Sequence, residues 1–227
     1  MKNRLLIPSI IGVAVAAMSF PGCAVLNQTI DDPTAVSTTA VEDVDKDFDL
    51  GTTQDKTYTN DFFGLSVTVA GDWKLLSESE ISSITSNVQS NISDQAIKDA
   101  IDAGETQFIM YANKEDKTEN VNVTVQKLPY STSADAGFDI NKYVDSSVEQ
   151  SKELLPKNGF EELDVQKTTV TFLAEDVPAI RIKAKYKGND IYETQVYSFK
   201  GSYVASITAT SSGSDNTLNS LGVFKRI

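Results

Sequence analysis

AIRIKAKYKGNDIYETQVYSFKGSYVASITAT, residues 179–210, is the stretch that decides the fold. Three runs rich in β-branched and aromatic residues, roughly Ala179–Lys187, Ile191–Lys200 and Tyr203–Thr210, are separated by Gly188-Asn189-Asp190 and Gly201-Ser202. Runs of this composition between turn formers read as strands. Links so short force antiparallel neighbours, because a parallel crossover needs about a dozen residues or more. A fourth strand, about Glu162–Phe172, precedes them across the link Glu175-Asp176-Val177-Pro178. At Gly188 two registers compete. A two-residue loop pairs Lys187 with Asp190. A three-residue loop sets Lys185 opposite Glu193, Tyr186 opposite Tyr192 and Ile182 opposite Val196. The second matches polar to polar and apolar to apolar, so it is the expected register.

Upstream, Tyr58, Phe62, Phe63, Leu65, Val67 and Val69 suggest a strand pair broken at Gly64 and closed by Gly71-Asp72-Trp73. Ile81, Ile84, Val88 and Ile92 recur at helical spacing, and a second helical piece runs from Asp94 to Ala103 before Gly104. Phe108–Ala112 and Val121–Leu128 read as strands around a polar turn. Asp139–Leu155 carries the clearest helical stripe, ended by Pro156 and Asn158-Gly159. A last helix, Asp215 to about Phe224, is expected to pack through Leu218, Leu221 and Phe224. Strand pairs alternating with helices indicate an α+β fold with a central antiparallel sheet.

The formal net charge is −12. A chain this acidic is repelled by phosphate backbones, which argues against nucleic-acid partners. Histidine is absent, which removes Ser-His-Asp and Cys-His catalysis and imidazole metal sites. Carboxylates, lysines, tyrosines and hydroxyls remain for any chemistry, no cofactor is indicated, and the expected protein is not an enzyme.

The first 22 residues have a basic start (Lys2, Arg4), an apolar run from Leu5 to Met18 and a small-residue end, the layout of a secretory signal. As a helix the apolar run rises only ~20 Å, short of the ~30 Å hydrocarbon core. The lone Cys23 follows Gly22. This end resembles the lipobox of bacterial lipoproteins, with Gly22 and Cys23 fitting the pattern and Phe20 and Pro21 departing from it. The resemblance implies a diacylglyceryl group on the Cys23 thiol and an extracytoplasmic protein held at the bacterial cell membrane. Residues 23–57 are acidic and rich in Thr and Ser, so they read as a flexible tether reaching roughly 30–35 Å. Asp43, Asp45, Asp47 and Asp49 alternate like the start of a calcium loop, but its sixth and twelfth positions fall on Phe48 and Gln54, which breaks the EF-hand pattern.

Residues 58–227 resemble the Mog1/PsbP-like family. The residues that carry the likeness are Asn60-Asp61-Phe62-Phe63-Gly64-Leu65-Ser66-Val67-Thr68-Val69 with Gly71-Asp72-Trp73, and the later run Ile191–Phe199 with Gly201-Ser202-Tyr203-Val204-Ala205. The resemblance implies an α-β-α sandwich and a binding or assembly role rather than catalysis. Histidines that bind ions in photosynthetic relatives have no counterpart, so that role is not carried across.

Two groups are candidate sites. Arg181, Lys183, Lys185 and Lys187 alternate along one strand and share a face. They form either a patch for an anionic protein or wall polymer, or a solvated face paired with Glu193 and neighbouring acids. Tyr58, Phe62, Phe63 and Trp73 either line a ligand pocket or plug the core. The expected function is a non-catalytic binding or assembly module anchored at the membrane. The competing class is a small-molecule receptor or a carboxylate- or lysine-dependent enzyme of the cell surface.

Overall fold

The structure, a computed structural model, describes residues 43–92, 94–133 and 137–227. Cys23 and the signal-like segment lie outside the described residues. Seven strands build the central sheet: β4 (Trp73–Leu75), β5 (Thr106–Lys114), β6 (Glu119–Lys127), β7 (Phe160–Phe172), β8 (Glu175–Tyr186), β9 (Asn189–Lys200) and β10 (Tyr203–Ser212). Their order is β4-β5-β6-β10-β9-β8-β7, and every pairing is antiparallel. The α+β class and the antiparallel sheet expected from the short links are both present.

Three helices cover one face. They are α1 (Glu78–Asn91), α2 (Gln95–Asp102) and α3 (Ile140–Lys157). Each starts where its sequence supplies a cap. Ser77 and Glu80 form a reciprocal capping box, and the Asp94 and Asp139 carboxylates accept the first free amides of α2 and α3. Such caps contribute about 1 kcal/mol each. Helix α3 continues two residues past Leu155, because Pro156 removes only its own amide and one residue follows it. The Asn158 side chain closes the end by donating to Leu154 O at 2.7 Å.

The other face is covered mainly by a second sheet, β1 (Thr52–Gln54), β2 (Thr57–Asn60), β3 (Leu65–Thr68) and β11 (Phe224–Arg226), with the short helix α4 (Thr217–Leu221). Tyr58, Leu65, Val67, Leu221 and Phe224 pack against Val121, Val123, Val125, Ala205 and Ile207 of the large sheet. The layers are therefore helix, sheet and small sheet rather than helices on both sides. The expected C-terminal helix is cut short at Leu221, since Phe224 pairs with Val67 as a strand and Leu218 stands 48% exposed.

Two hairpins turn elsewhere than the sequence indicates. The β8–β9 loop is Lys187-Gly188, with Tyr186 opposite Asn189 and Ile182 opposite Glu193. Both loop residues have positive φ, 49° and 79°, the geometry whose twist suits a two-residue hairpin. Neither expected register is adopted. The β7–β8 turn is Leu173-Ala174, also at positive φ, and Glu175-Asp176-Val177-Pro178 belongs to the strand. Polar matching misjudged the first hairpin because Glu193 faces the interior.

The expected tether also ends earlier than residue 57. Residues 43–57 lie on the body as a strap. The Asp45 carboxylate accepts from the Ser202 amide at 2.9 Å and from the Ser202 hydroxyl, while Phe48 stacks on Tyr203 at 3.9 Å and meets Phe62 edge-on at 5.3 Å. The strap needs Gly201. A methyl there would overlap the Asp45 carboxylate, and φ is 61°. Gly201→Ala is therefore expected to speed proteolytic cleavage within residues 43–51 several-fold, and Phe48→Ala to remove about 1–2 kcal/mol from thermal stability. Cleavage at the wild-type rate in Gly201→Ala would show that the strap is not held this way.

Candidate functional site

The basic row is largely spent on local partners. Arg181 pairs with Asp215 beside α4, and Lys185 pairs with Glu162 at 2.6 Å. Lys183 lies over the Tyr192 ring at 5.9 Å, and Lys187 sits in the turn over Tyr186 at 5.0 Å. Glu193 pairs with none of them, because it points to the opposite face of the sheet.

The four aromatic candidates do not surround a common cavity. Tyr58 is buried and its hydroxyl donates to Leu50 O at 2.9 Å. Phe62 is wedged edge-on among Phe48, Phe63 and Tyr203. Trp73 opens β4, opposite Lys114. A shallow hollow of about 180 Å³ lies beside the strap, where Phe48 and Tyr203 meet Gln107, Val125 and Lys127. Only the strap's Phe48 and the ring it stacks on belong to that hollow, so the candidates themselves act as core.

A different group of residues converges inside the molecule. Along β6, Asn120, Asn122, Thr124 and Gln126 alternate with Val121, Val123 and Val125. Strand alternation sends the two sets to opposite faces. The valines join the small-sheet core, and the polar set lies on the helix side. Pairing extends this polar layer sideways. Thr208 stands opposite Asn122 and Ser206 opposite Thr124 on β10, with Gln195 and Tyr197 opposite these on β9. Thr210 and Glu193 complete the next row. All are buried, and Asn122, Thr124, Thr208 and Gln195 have no exposure at all.

Hydrogen bonds link part of the layer into a chain. The Tyr197 hydroxyl donates to Gln195 Oε1 at 2.9 Å, Gln195 Nε2 donates to Glu193 Oε1 at 2.5 Å, and the Thr210 hydroxyl donates to Glu193 Oε2 at 3.1 Å. From above, α3 contributes Tyr143, whose ring meets that of Tyr197 at 5.4 Å, and Ser147, whose hydroxyl donates to Tyr143 O at 3.0 Å. Burial pushes the Glu193 carboxyl up to about 8, against the smaller opposing pull of the Gln195 and Thr210 bonds. Burial also raises the Tyr111 and Tyr197 hydroxyls, with the Glu193 charge adding to it. Glu193 is thus a neutral acid at pH 7.

Three atoms of the layer and its helical cover lack a partner among the described residues: Asn122 Oδ1, Thr124 Oγ1 and Gln150 Oε1. The layer offers amides, hydroxyls and one protonated carboxyl, a set suited to holding a neutral polar guest or water. It lacks the paired carboxylates of general acid–base catalysis. Among the described residues no cluster of three or more acids, Cys or His is placed to hold a metal.

Sequence reasoning missed this layer although its signal was present. Asn-Val-Asn-Val-Thr-Val-Gln (residues 120–126) reads as a strand with one face in water, whereas both of its faces are buried in the fold. No family model matches this chain, and no curated protein matches its sequence.

Stability should record the buried acid. The Glu193 carboxyl lies near 8 in the folded protein and near 4.5 when unfolded, so its stabilisation is complete below about pH 4.5 and is lost as pH rises toward 8. Denaturant unfolding should lose on the order of 3–5 kcal/mol across that window through this group, and Glu193→Gln should flatten the slope. A Glu193→Gln profile parallel to wild type would contradict the assignment.

Proposed function

We propose that this protein is an extracytoplasmic bacterial lipoprotein, anchored through a diacylglyceryl group on Cys23, whose body acts as a non-catalytic binding or assembly module. The observation that carries the reading is the placement of the chain's single cysteine after Gly22, at the end of a charged and then apolar leader. A net charge of −12 repels anionic headgroups, so electrostatics alone would not keep this body at a membrane, and an acyl anchor supplies what the surface lacks. Binding rather than catalysis is favoured by the chemistry of the interior, where hydroxyls and amides surround one neutral carboxyl.

The antiparallel sheet with helices on one face supports the family reading, and we carry the Mog1/PsbP-like resemblance forward as part of the same proposal, with a small sheet where the implied sandwich has a second helical layer. A protein or wall-polymer partner belongs to it as well. Of the basic row, Lys183 and Lys187 are the cations left for such a contact, since Arg181 and Lys185 already hold Asp215 and Glu162.

Detergent phase partitioning tests the anchor. The native protein should enter the detergent phase and carry the mass of a lipid adduct at Cys23, while Cys23→Ser should stay in the aqueous phase with an unaltered fold. A native protein with an unmodified thiol at residue 23 would overturn the reading.

A further inference from the structure

The large sheet ends on its longest strand. β7 runs for 13 residues and pairs only with β8, so its outer side meets no other strand among the described residues. The backbone groups on that side find no partner in a described turn or loop either. A bare edge of this length is a template for another strand, and proteins blunt such edges where pairing is unwanted.

Only the first part of β7 is blunted. Its register against β8 shifts between Glu161 and Asp164, and Glu162 has a φ of 48°. A bulge of this kind interrupts the ladder, and Glu161 and Glu162 add two acids at the same place. From Asp164 to Phe172 the pairing with β8 is regular over nine residues, with no proline or glycine among them. The charges in this stretch are Asp164 and Lys167, and both are engaged within the chain. Asp164 accepts from Gln166 Nε2 at 2.9 Å, while Lys167 donates to Asn141 O at 3.1 Å and to Asp145 at 2.9 Å. Those contacts put the first turns of α3 beside Lys167, from where the helix runs back to Lys157 near the start of β7. Thr169 and Thr171 lie beyond that cover and are exposed.

The regular stretch is its own complement. Paired antiparallel with a second copy about a twofold at Thr168, it sets Asp164 opposite Phe172, Val165 opposite Thr171, Gln166 opposite Val170 and Lys167 opposite Thr169. No like charges meet, and all nine residues are used. A centre at Lys167 would bring two lysines face to face, which disfavours pairing. A centre at Gln166 carries the ladder into the bulge, and one at Thr169 shortens it at the turn. Centres between residues would match opposite faces of the two sheets. The Thr168 twofold also stands the α3 of each copy beside the half of the other's β7 that its own α3 leaves bare.

We propose that β7 is a self-association edge, through which two copies of this chain join antiparallel along Asp164–Phe172 about a twofold at Thr168. One sheet then runs through both bodies. The contact is isologous and closes at two, and a single strand pair makes it small and reversible. It stands apart from the anchor and the binding reading. Sedimentation of the full chain in density-matched nonionic detergent tests it, in high salt that screens the repulsion between two bodies of net charge −12. The wild type should show a reversible monomer–dimer equilibrium. Thr168→Lys and Thr168→Glu should each weaken it by about fivefold or more, because each sets like charges opposite one another on the axis. An equal mixture of the two variants should dimerise at least as well as the wild type, a recovery that misfolded chains could not give. A wild type that is monomeric at about 1 mM overturns the proposal, as does assembly that continues past two. Unchanged dimerisation by the single variants, or no recovery in their mixture, overturns it as well.

Discussion

Strands β6, β10 and β9 are covered on both faces, and that double burial is the constraint from which the rest of the architecture follows. An alternating strand ordinarily places its polar set in water, where hydration satisfies it at no cost. Here the valines of β6 meet the small sheet, while Asn120, Asn122, Thr124 and Gln126 meet helices. Polar groups on that face must find partners inside, and those of β9 and β10 do so through the chain from Tyr197 through Gln195 and Glu193 to Thr210. Buried networks of this kind are stabilising when complete and costly where incomplete. The positions left incomplete among the described residues include Asn122 and Thr124 of β6 and Gln150 of α3.

The strap is the second organising contact. Asp45 and Phe48 close over the β9–β10 turn and the Tyr203 ring, so the chain coming from the direction of Cys23 engages the body at the hairpin whose strands carry the polar layer on their other face. Close approach at Gly201 makes that junction specific, since no larger residue leaves room for the Asp45 carboxylate. The folded body therefore reaches back at least to residue 43.

Much of this architecture was legible in the residues. The stripe from Ile140 to Leu155 gave α3, Gly104 marked the end of α2, and short links dictated antiparallel pairing. The failures share a physical cause. Leu173, Ala174 and Lys187 adopt positive φ without being glycine, so local preference did not mark those turns. The strap was hidden by its acidic composition, because two residues, Asp45 and Phe48, make its main side-chain contacts with the body. Glu193 reads as a surface charge because an acid is seldom buried, whereas its place opposite Ile182 puts it on the interior face of the sheet. The polar layer follows the same lesson. Period-two alternation reports that two faces differ, not that one of them is wet.

The protonation of Glu193 tests the buried layer most directly. A carboxyl-carbon NMR titration of the selectively labelled protein, assigned by comparison with Glu193→Gln, should show this side chain as the neutral acid through pH 7, with its midpoint near 8. A midpoint at the ordinary carboxylate value of about 4.5 would mean that water reaches the carboxyl, and the sealed polar interior described here would be wrong.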